Sequence, residues 1–264
     1  MLAHKWKPTS NIYPCYVQPK LNGIRAVWIN GALHSRDEHQ WSYSRLPFIL
    51  EALRLQFPSV NLDGELYCHG MSLQEINSRV AVKSSKLHTD VEKIAFHVFD
   101  VVSEQPFTKR VDTLLSLPKL SFITTVDTYY CADVNFFDMF HKSCVDQGYE
   151  GSMARDPNSP YGFVEACGNK ENRWNYLLKR KDFNDAECEI VGIKEGEKGL
   201  EGFVGSFELV FTNGRHFFAG SGLTEVQRKL FWYSPPIGKK AKINYQYLSD
   251  DFVPIHPTIE AVLQ

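Results

Sequence analysis

Side-chain alternation governs what this chain can become. The stretches "YPCYVQPK", "IRAVWIN", "VNLDGELYC", "KIAFHVFDVV", "FITTVDTYYC" and "YLLKRK" alternate apolar and polar positions, and Gly, Pro, Asn or Asp residues bound them. A period of two cannot serve an amphipathic helix, whose apolar stripe recurs at three and four. These segments therefore predict strands in antiparallel sheets, with helices laid against them, an α+β fold. The helical signals lie between. Leu46, Ile49, Leu50, Leu53 and Phe57 follow the i, i+3, i+4, i+7 stripe. "SLQE" at Ser72 to Glu75 is a capping box opening a helix through about Ala81. Asp133 reads as the N-cap and Gly148 as the terminating residue of another helix, which carries Phe136, Phe137, Phe140 and Val145.

After "KRKDFNDAE" the texture changes. "EIVGIKEG", "GSFELVFTNGRHFFAGSG" and "KKAKINYQYLS" are short, glycine-bounded strands, with Asn213-Gly214 in the position of a type I′ hairpin turn. "TEVQ" at Thr224 to Gln227 caps a single helix. Short strands with one helix in so small a segment predict a β-barrel of the OB type. The expected division is a large domain over residues 1–182 and a small barrel over 183–264.

The 264 residues, 43% of them hydrophobic, suffice for two such cores. The sequence has no apolar run of membrane-spanning length, and "MLAHKWKPTS" lacks the apolar stretch of a signal peptide, so a cytoplasmic protein without a membrane partner is expected. The six cysteines are scattered, with no zinc-ligand spacing, and read as free thiols. A net charge of −2 means that any nucleic-acid binding must come from local patches.

The segment "KLNGIR" places Lys20 and Arg25 around Asn22-Gly23, just before a strand. Two cations around a residue that lets the backbone approach closely suit a bound phosphate. As a nucleophile, a lysine must be neutral, and at an ordinary pKa of about 10.4 only about 0.04% is neutral at pH 7. Making up about 3.4 units, or about 4.6 kcal/mol, requires nearby cations and partial burial. "LLKRK" offers such cations, Lys179 and Lys181 on one face of a strand and Arg180 on the other. Taken alone, "KLNGIR" is also compatible with a surface turn and a solvated lysine.

In order along the chain stand "KLNGIR" at Lys20, "SR" at Ser35 and Arg36, "LDGELY" with Asp63 and Glu65, "FHVFDVV" with Phe99, "YEGSMAR" with Glu150, and "LLKRK" with Lys179 and Lys181. This ordered series resembles the nucleotidyltransferase motifs of ATP-dependent DNA ligases and mRNA-capping guanylyltransferases. The predicted barrel lies where that superfamily places its OB domain, and the length resembles that of the small two-domain viral and accessory bacterial ligases.

The resemblance implies an ATP-grasp-like adenylyltransferase domain and attack by Lys20 on the α-phosphate of ATP. AMP would pass from the lysine to the 5′-phosphate of nicked duplex DNA, and a monomer is the expected form. It further implies that Lys179 and Lys181 hold the α-phosphate, that Glu65 and Arg25 contact the ribose, and that Phe99 stacks on adenine with Gln18 in the same nucleotide site. Glu150 and Asp63 would hold Mg²⁺, and Arg36 would grip the nick 5′-phosphate.

Read from the residues alone, Phe99 also fits a core position, Arg36 a surface pair with Asp37 or Glu38, and Asp63 the turn chemistry of "LDGE". "KENR" at Lys170 to Arg173 fits either a DNA-phosphate contact or a solvated loop. Two departures from the superfamily pattern stand out. Asn22 occupies a position where motif I usually has Asp, and no Lys or Arg follows Lys242, where the last motif normally supplies a cation. They keep two alternatives open, an RNA ligase or guanylyltransferase and an inactive nick-binding relative.

Overall fold

The computed structural model describes residues 2–80, 87–162, 174–197 and 199–263. Ala81, Cys167 and the "KENR" stretch lie outside the described residues. The chain divides into two compact units, Met1–Arg180 and Lys181–Gln264.

Two five-stranded sheets build the first unit. One contains β1 (Ala3–Lys5), β2 (Cys15–Lys20), β8 (Tyr129–Cys131), β9 (Gly151–Arg155) and β10 (Trp174–Arg180), in the order β1-β10-β9-β2-β8. The other contains β3 (Ile24–Ile29), β4 (Ala32–Ser35), β5 (Leu62–Tyr67), β6 (Ala95–Val101) and β7 (Ile123–Thr125), in the order β4-β3-β5-β6-β7. Pairing is antiparallel except at one edge of each sheet, where β1 runs parallel to β10 and β7 parallel to β6.

Burial explains the arrangement. Ala26, Trp28, Leu33, Leu62, Leu66, Phe96 and Val98 turn one face of the second sheet inward against Ile49, Leu50 and Leu53 of α1 (Pro47–Gln56) and Ile76 and Val80 of α2 (Leu73–Val80). Each tryptophan in this core keeps its polar edge satisfied. Trp28 Nε1 donates to the Phe57 carbonyl at 2.9 Å, and Trp41 Nε1 to that of Val80 at 2.8 Å. Cys15, Val17, Ala154 and Leu178 of the first sheet pack with Phe137 of α4 (Val134–Asp146). The opposite faces of the two sheets approach one another through Val27, Met153, Leu177 and Tyr161.

The helix signals have the local chemistry expected of them. Asp133 Oδ1 accepts the Phe136 N–H at 2.9 Å, Gly148 takes φ +85°, and the Ser72–Glu75 box forms in both directions. A further helix, α3 (Phe107–Ser116), was not among the sequence signals. It starts after Pro106 without a side-chain cap and buries Phe107, Arg110, Val111 and Leu114. The run "FITTVDTYYC" is two strands, since the chain leaves the second sheet after Thr125 and enters the first at Tyr129.

The second unit is a five-stranded antiparallel sheet, β13-β12-β11-β14-β15, formed by β11 (Asn184–Glu195), β12 (Val204–Val210), β13 (His216–Ala219), β14 (Lys240–Tyr245) and β15 (Thr258–Val262). A parallel bridge between Ser221 and Thr258 ties the segment after β13 to β15, and the Ile259 N–H donates to the Ser221 carbonyl at 2.8 Å. Such an approach excludes a side chain. A Cβ on Gly222 would lie 2.1 Å from the Ile259 carbonyl oxygen. Helix α5 (Glu225–Tyr233) carries the complete Thr224/Gln227 capping box. The Asn213-Gly214 turn departs from the type I′ expectation. Gly214 alone has positive φ, and its N–H donates to the Phe211 carbonyl at 2.9 Å, the pattern of a type I turn followed by a left-handed glycine.

Candidate active site

A cavity of ≈ 190 Å³ lies in the first unit. Four strands supply its chemistry. Alternation along β2 buries Cys15 and Val17 in the core beneath α4, while Gln18 and Lys20 line the cavity. On β10, Leu177 and Lys179 line it, whereas Leu178 and Arg180 point to the opposite face, where the Arg180 guanidinium sits 4.4 Å from the Trp6 ring centroid. β5 brings Asp63 and Glu65, β3 brings Arg25, and Phe99 of β6 completes the wall.

Lys20 is the last residue of β2, so its side chain is aimed by a strand rather than a loop. Its Nζ is paired with Glu150 Oε2 and lies 3.3 Å from the Leu21 carbonyl oxygen. The pair is largely withdrawn from solvent, with side-chain exposures of 20% for Lys20 and 8% for Glu150. Backbone geometry fixes Glu150, whose N–H donates to the Lys20 carbonyl at 3.0 Å.

Gly23 serves a close approach. A Cβ there would lie 2.4 Å from the Leu66 carbonyl oxygen and 2.9 Å from Glu65 Cγ. Its N–H instead donates to Glu65 Oε1 at 2.7 Å, which pins the turn after Lys20 to β5. Burial pushes the Glu65 carboxyl up to about 7 against the pull of Lys20 and the Gly23 N–H, and the negative charge of Glu150 adds to the rise.

Arg25 meets Asp63 in a two-point contact, Nε to Oδ1 at 3.0 Å and Nη2 to Oδ2 at 2.7 Å. Burial disfavours its charge, and the Asp63 carboxylate more than reverses this, holding the guanidinium above its ordinary value. Gln18 is buried with its amide oriented. Nε2 donates to the Phe99 carbonyl at 3.0 Å and to Thr128 Oγ1 at 2.9 Å, which commits both of its protons and leaves Oε1 as an acceptor.

Of the residues expected in the site, Gln18, Lys20, Arg25, Asp63, Glu65, Phe99 and Lys179 line one cavity, and Glu150 joins it through Lys20. Two others are not among the residues that line this cavity. β10 ends at Arg180, so Lys181 is not on that strand's face; it opens the second unit, where its Nζ donates to Gln246 Oε1 at 3.1 Å. Arg36 follows β4 on the surface, 3.9 Å from Asp37, with both side chains more than two-thirds exposed. The expectation that Asp63 holds a metal is corrected by its surroundings. Arg25 occupies both carboxylate oxygens, Tyr161 Oη donates to one of them at 2.8 Å, and the side chain is 2% exposed.

Residues that the sequence reading passed over also reach the site. Arg155 lines the cavity from β9, with its guanidinium on Asp100 Oδ2 and 4.4 Å from the Phe107 ring centroid. The available signal was the period of "YEGSMAR", which sets Met153 and Arg155 on the face of β9 that lines the cavity. Among the described residues no group of three or more His, Cys, Asp or Glu side chains could hold a metal by itself.

A lysine at a strand end, paired with a carboxylate in a cavity that a second lysine, an arginine and a phenylalanine also line, has the parts of a covalent nucleotidyltransferase. The ATP dependent DNA ligase domain model matches residues 1–179, and the DNA ligase OB-like domain model matches residues 195–262. The chain belongs to the ATP-dependent DNA ligase family.

Among curated relatives, the DNA ligase of African swine fever virus (strain Badajoz 1971 Vero-adapted) is 32% identical over 200 residues, covering 70% of this chain and 46% of the relative. The DNA ligase of the Kenyan pig isolate of that virus is 33% identical over 202 residues, with the same coverage. The chain thus spans under half the length of the curated relatives it matches. Among solved structures, a Lig E DNA ligase superposes with a TM-score of 0.81 at 23% identity, covering 100% of this chain and 98% of that one. Chlorella virus DNA ligase-adenylate gives a TM-score of 0.55 at 23% identity, covering 100% of this chain and 97% of that one. These likenesses show a shared fold.

Proposed function

We propose that this chain is an ATP-dependent DNA ligase that seals 3′-hydroxyl/5′-phosphate nicks in duplex DNA, acting as a monomer in a cytoplasmic compartment. The observation that carries the reading is the Lys20–Glu150 pair at the end of β2, largely withdrawn from solvent beside a cavity that also holds Arg25, Glu65 and Lys179. Lys20 Nζ attacks the α-phosphorus of ATP, the bond to the pyrophosphate oxygen breaks, and AMP remains on the lysine as a phosphoramidate. Charge that builds on the phosphoryl oxygens is met by the ammonium of Lys179. The AMP then passes to the nick 5′-phosphate, and the neighbouring 3′-hydroxyl displaces it.

The arrangement favours adenine. Gln18 Oε1, left as an acceptor, matches the exocyclic amine of adenine and would face the carbonyl oxygen of guanine without a proton to share. Phe99 offers a face for the base, and Arg25 and Glu65 meet the ribose.

The carboxylates present suit Mg²⁺, which is commonly held by one or two protein carboxylates together with substrate phosphates. Burial chiefly, and the negative charge of Glu150 in smaller part, raise the Glu65 pKa, so a hard cation beside the two carboxylates would be favoured. Glu150 would hold the ion; Asp63, already held by Arg25 and Tyr161, would not. When bound, the metal would neutralise phosphate charge and draw Glu150 away from Lys20, which favours the neutral amine.

The test is incubation with Mg²⁺ and ATP labelled at the α-phosphate, followed by denaturation, with labelled GTP and Lys20→Ala in parallel. Acid-labile label from ATP that is absent in Lys20→Ala and weak from GTP is expected, followed by sealing of a nicked duplex. Equal labelling from GTP would redirect the reading to a guanylyltransferase, and no label from either nucleotide would leave a nick-binding relative.

A further inference from the structure

Behind Arg25 lies a chain of buried polar contacts that ends in a loop hydrogen-bonded to the start of α3. Tyr161 is 8% exposed, and its Oη donates to Asp63 Oδ2 at 2.8 Å, the same oxygen that accepts from Arg25 Nη2 at 2.7 Å. Tyr161 is also hydrogen-bonded to Arg25 itself. One hydroxyl therefore touches both members of the ion pair.

The loop that carries Tyr161 is tied to the start of α3. The Phe107 N–H donates to the Ser159 carbonyl at 3.0 Å, the Thr108 N–H to that of Pro157 at 2.9 Å, and Arg110 Nη1 to that of Ser159 at 2.9 Å. Arg110 is held in turn by Asp100, through Nε to Oδ1 at 2.7 Å, and its guanidinium lies 5.8 Å from the Tyr161 ring centroid. Tyr161 is thus positioned by groups outside the cavity.

A guanidinium has five N–H donors in one plane. The Asp63 contact takes two of them and, because it is bidentate, sets the plane; the donors left over point where that plane dictates. A single carboxylate could still rock about its own side-chain torsions. The Tyr161 hydroxyl removes that freedom.

We propose that Tyr161 is a positioning residue for ribose recognition, fixing the Arg25 guanidinium through Asp63 so that its remaining donors meet the ribose hydroxyls. This rests on the reading above that Arg25 contacts the ribose.

Calorimetric titration of the full chain with ATP, 2′-deoxyATP and 3′-deoxyATP, in EDTA so that no adenylylation occurs, tests it. The wild-type protein prefers ATP to at least one of the two deoxy analogues. Tyr161→Phe keeps the ring and its packing while removing the hydroxyl, and it compresses that preference about fivefold, in line with the net worth of one ordinary hydrogen bond. Its melting temperature stays within about 2 °C of wild type, no more than the shift that about 1 kcal/mol produces in a domain of this size. Asp63→Asn compresses the preference in the same way, and in an Arg25→Ala background Tyr161→Phe has no further effect on the ratio.

An unchanged ratio in Tyr161→Phe overturns the proposal. So does an equal loss of affinity for all three nucleotides, the mark of a purely structural residue. Binding of all three nucleotides with one affinity by wild type overturns it at its premise, while failure of wild type to bind ATP overturns the nucleotide-site reading itself.

Discussion

Replacing Glu65 by Gln tests the electrostatic account of the cavity, because the two side chains share a shape and differ in charge. Gln keeps an oxygen for the Gly23 N–H, which Glu65 accepts at 2.7 Å, so the turn after Lys20 keeps its anchor. Burial raises the wild-type carboxyl to about 7, from an ordinary value of 4.5. The folded protein therefore binds more protons than the unfolded one between those values. The stability that Glu65 contributes is present below pH 4.5 and is lost as pH rises through about 7.

At about 1.36 kcal/mol per unit the full effect is about 3 kcal/mol, and solvent reaching the cavity reduces it to about 2. Urea denaturation in EDTA at steps between pH 4.5 and 8 should give nearly equal stabilities at the acid end and a variant about 2 kcal/mol more stable at pH 8. The same variant should adenylylate more slowly, a trade common where a site holds an uncomfortable charge for function. A variant less stable than wild type at pH 8, or a difference that stays flat with pH, would refute the reasoning by showing that Lys20 and Arg25 outweigh burial.

Asp100 faces both Arg110 and Arg155 with no exposed surface, so Asp100→Asn leaves two buried cations short of a counter-charge and should cost about 3–5 kcal/mol by urea denaturation. A loss below about 1 kcal/mol would contradict the burial argument. Arg36→Ala should leave the melting temperature unchanged within about 1 °C, because its ion pair with Asp37, at 3.9 Å, lies in solvent. If Arg36 grips the nick phosphate, binding of nicked duplex weakens and the slope of log affinity against log salt falls by about 1, which nick-binding assays at 50 and 200 mM salt would measure.

The strands and the lysine were legible because the physics that forms them is local. Period-two patterning specifies β2, β3, β5 and β6 residue by residue, and the capping boxes at Ser72 and Thr224 announce their helices. What escaped depends on distant partners. Nothing within "FITTVDTYYC" says that Ile123 pairs with Phe96 while Tyr129 pairs with Val17, since alternation carries on through the turn between them.

Helix α3 lacks a cap residue and buries Arg110, a residue that a composition-based reading assigns to the surface. Its burial is intelligible only with Asp100 beside it. Asp63 is the same lesson at the site. "LDGE" suggests a turn or a metal ligand, but the residue lies within β5 and its chemistry is decided by Arg25 and Tyr161. The Asn213-Gly214 pair sits at a hairpin, and the conformation of Asn213 made it a type I turn rather than its mirror image.

The sheet that carries Lys20 has short ends. Its two edge strands, β1 and β8, are only 3 residues each, while β2, β9 and β10 between them run to 6, 5 and 7. Pro19 adds to this. The Lys20 carbonyl faces β9, so the backbone of Pro19 faces the other flank, beyond the last β2–β8 pair at Val17 and Tyr129, and it has no N–H to offer there. An incoming strand finds little backbone to copy at either edge, although Tyr129 and Tyr130 are exposed. The sheet that aims the nucleophile is thereby guarded against edge-to-edge self-association, and lengthening β8 or replacing Pro19 would remove that guard and promote aggregation before it altered the chemistry.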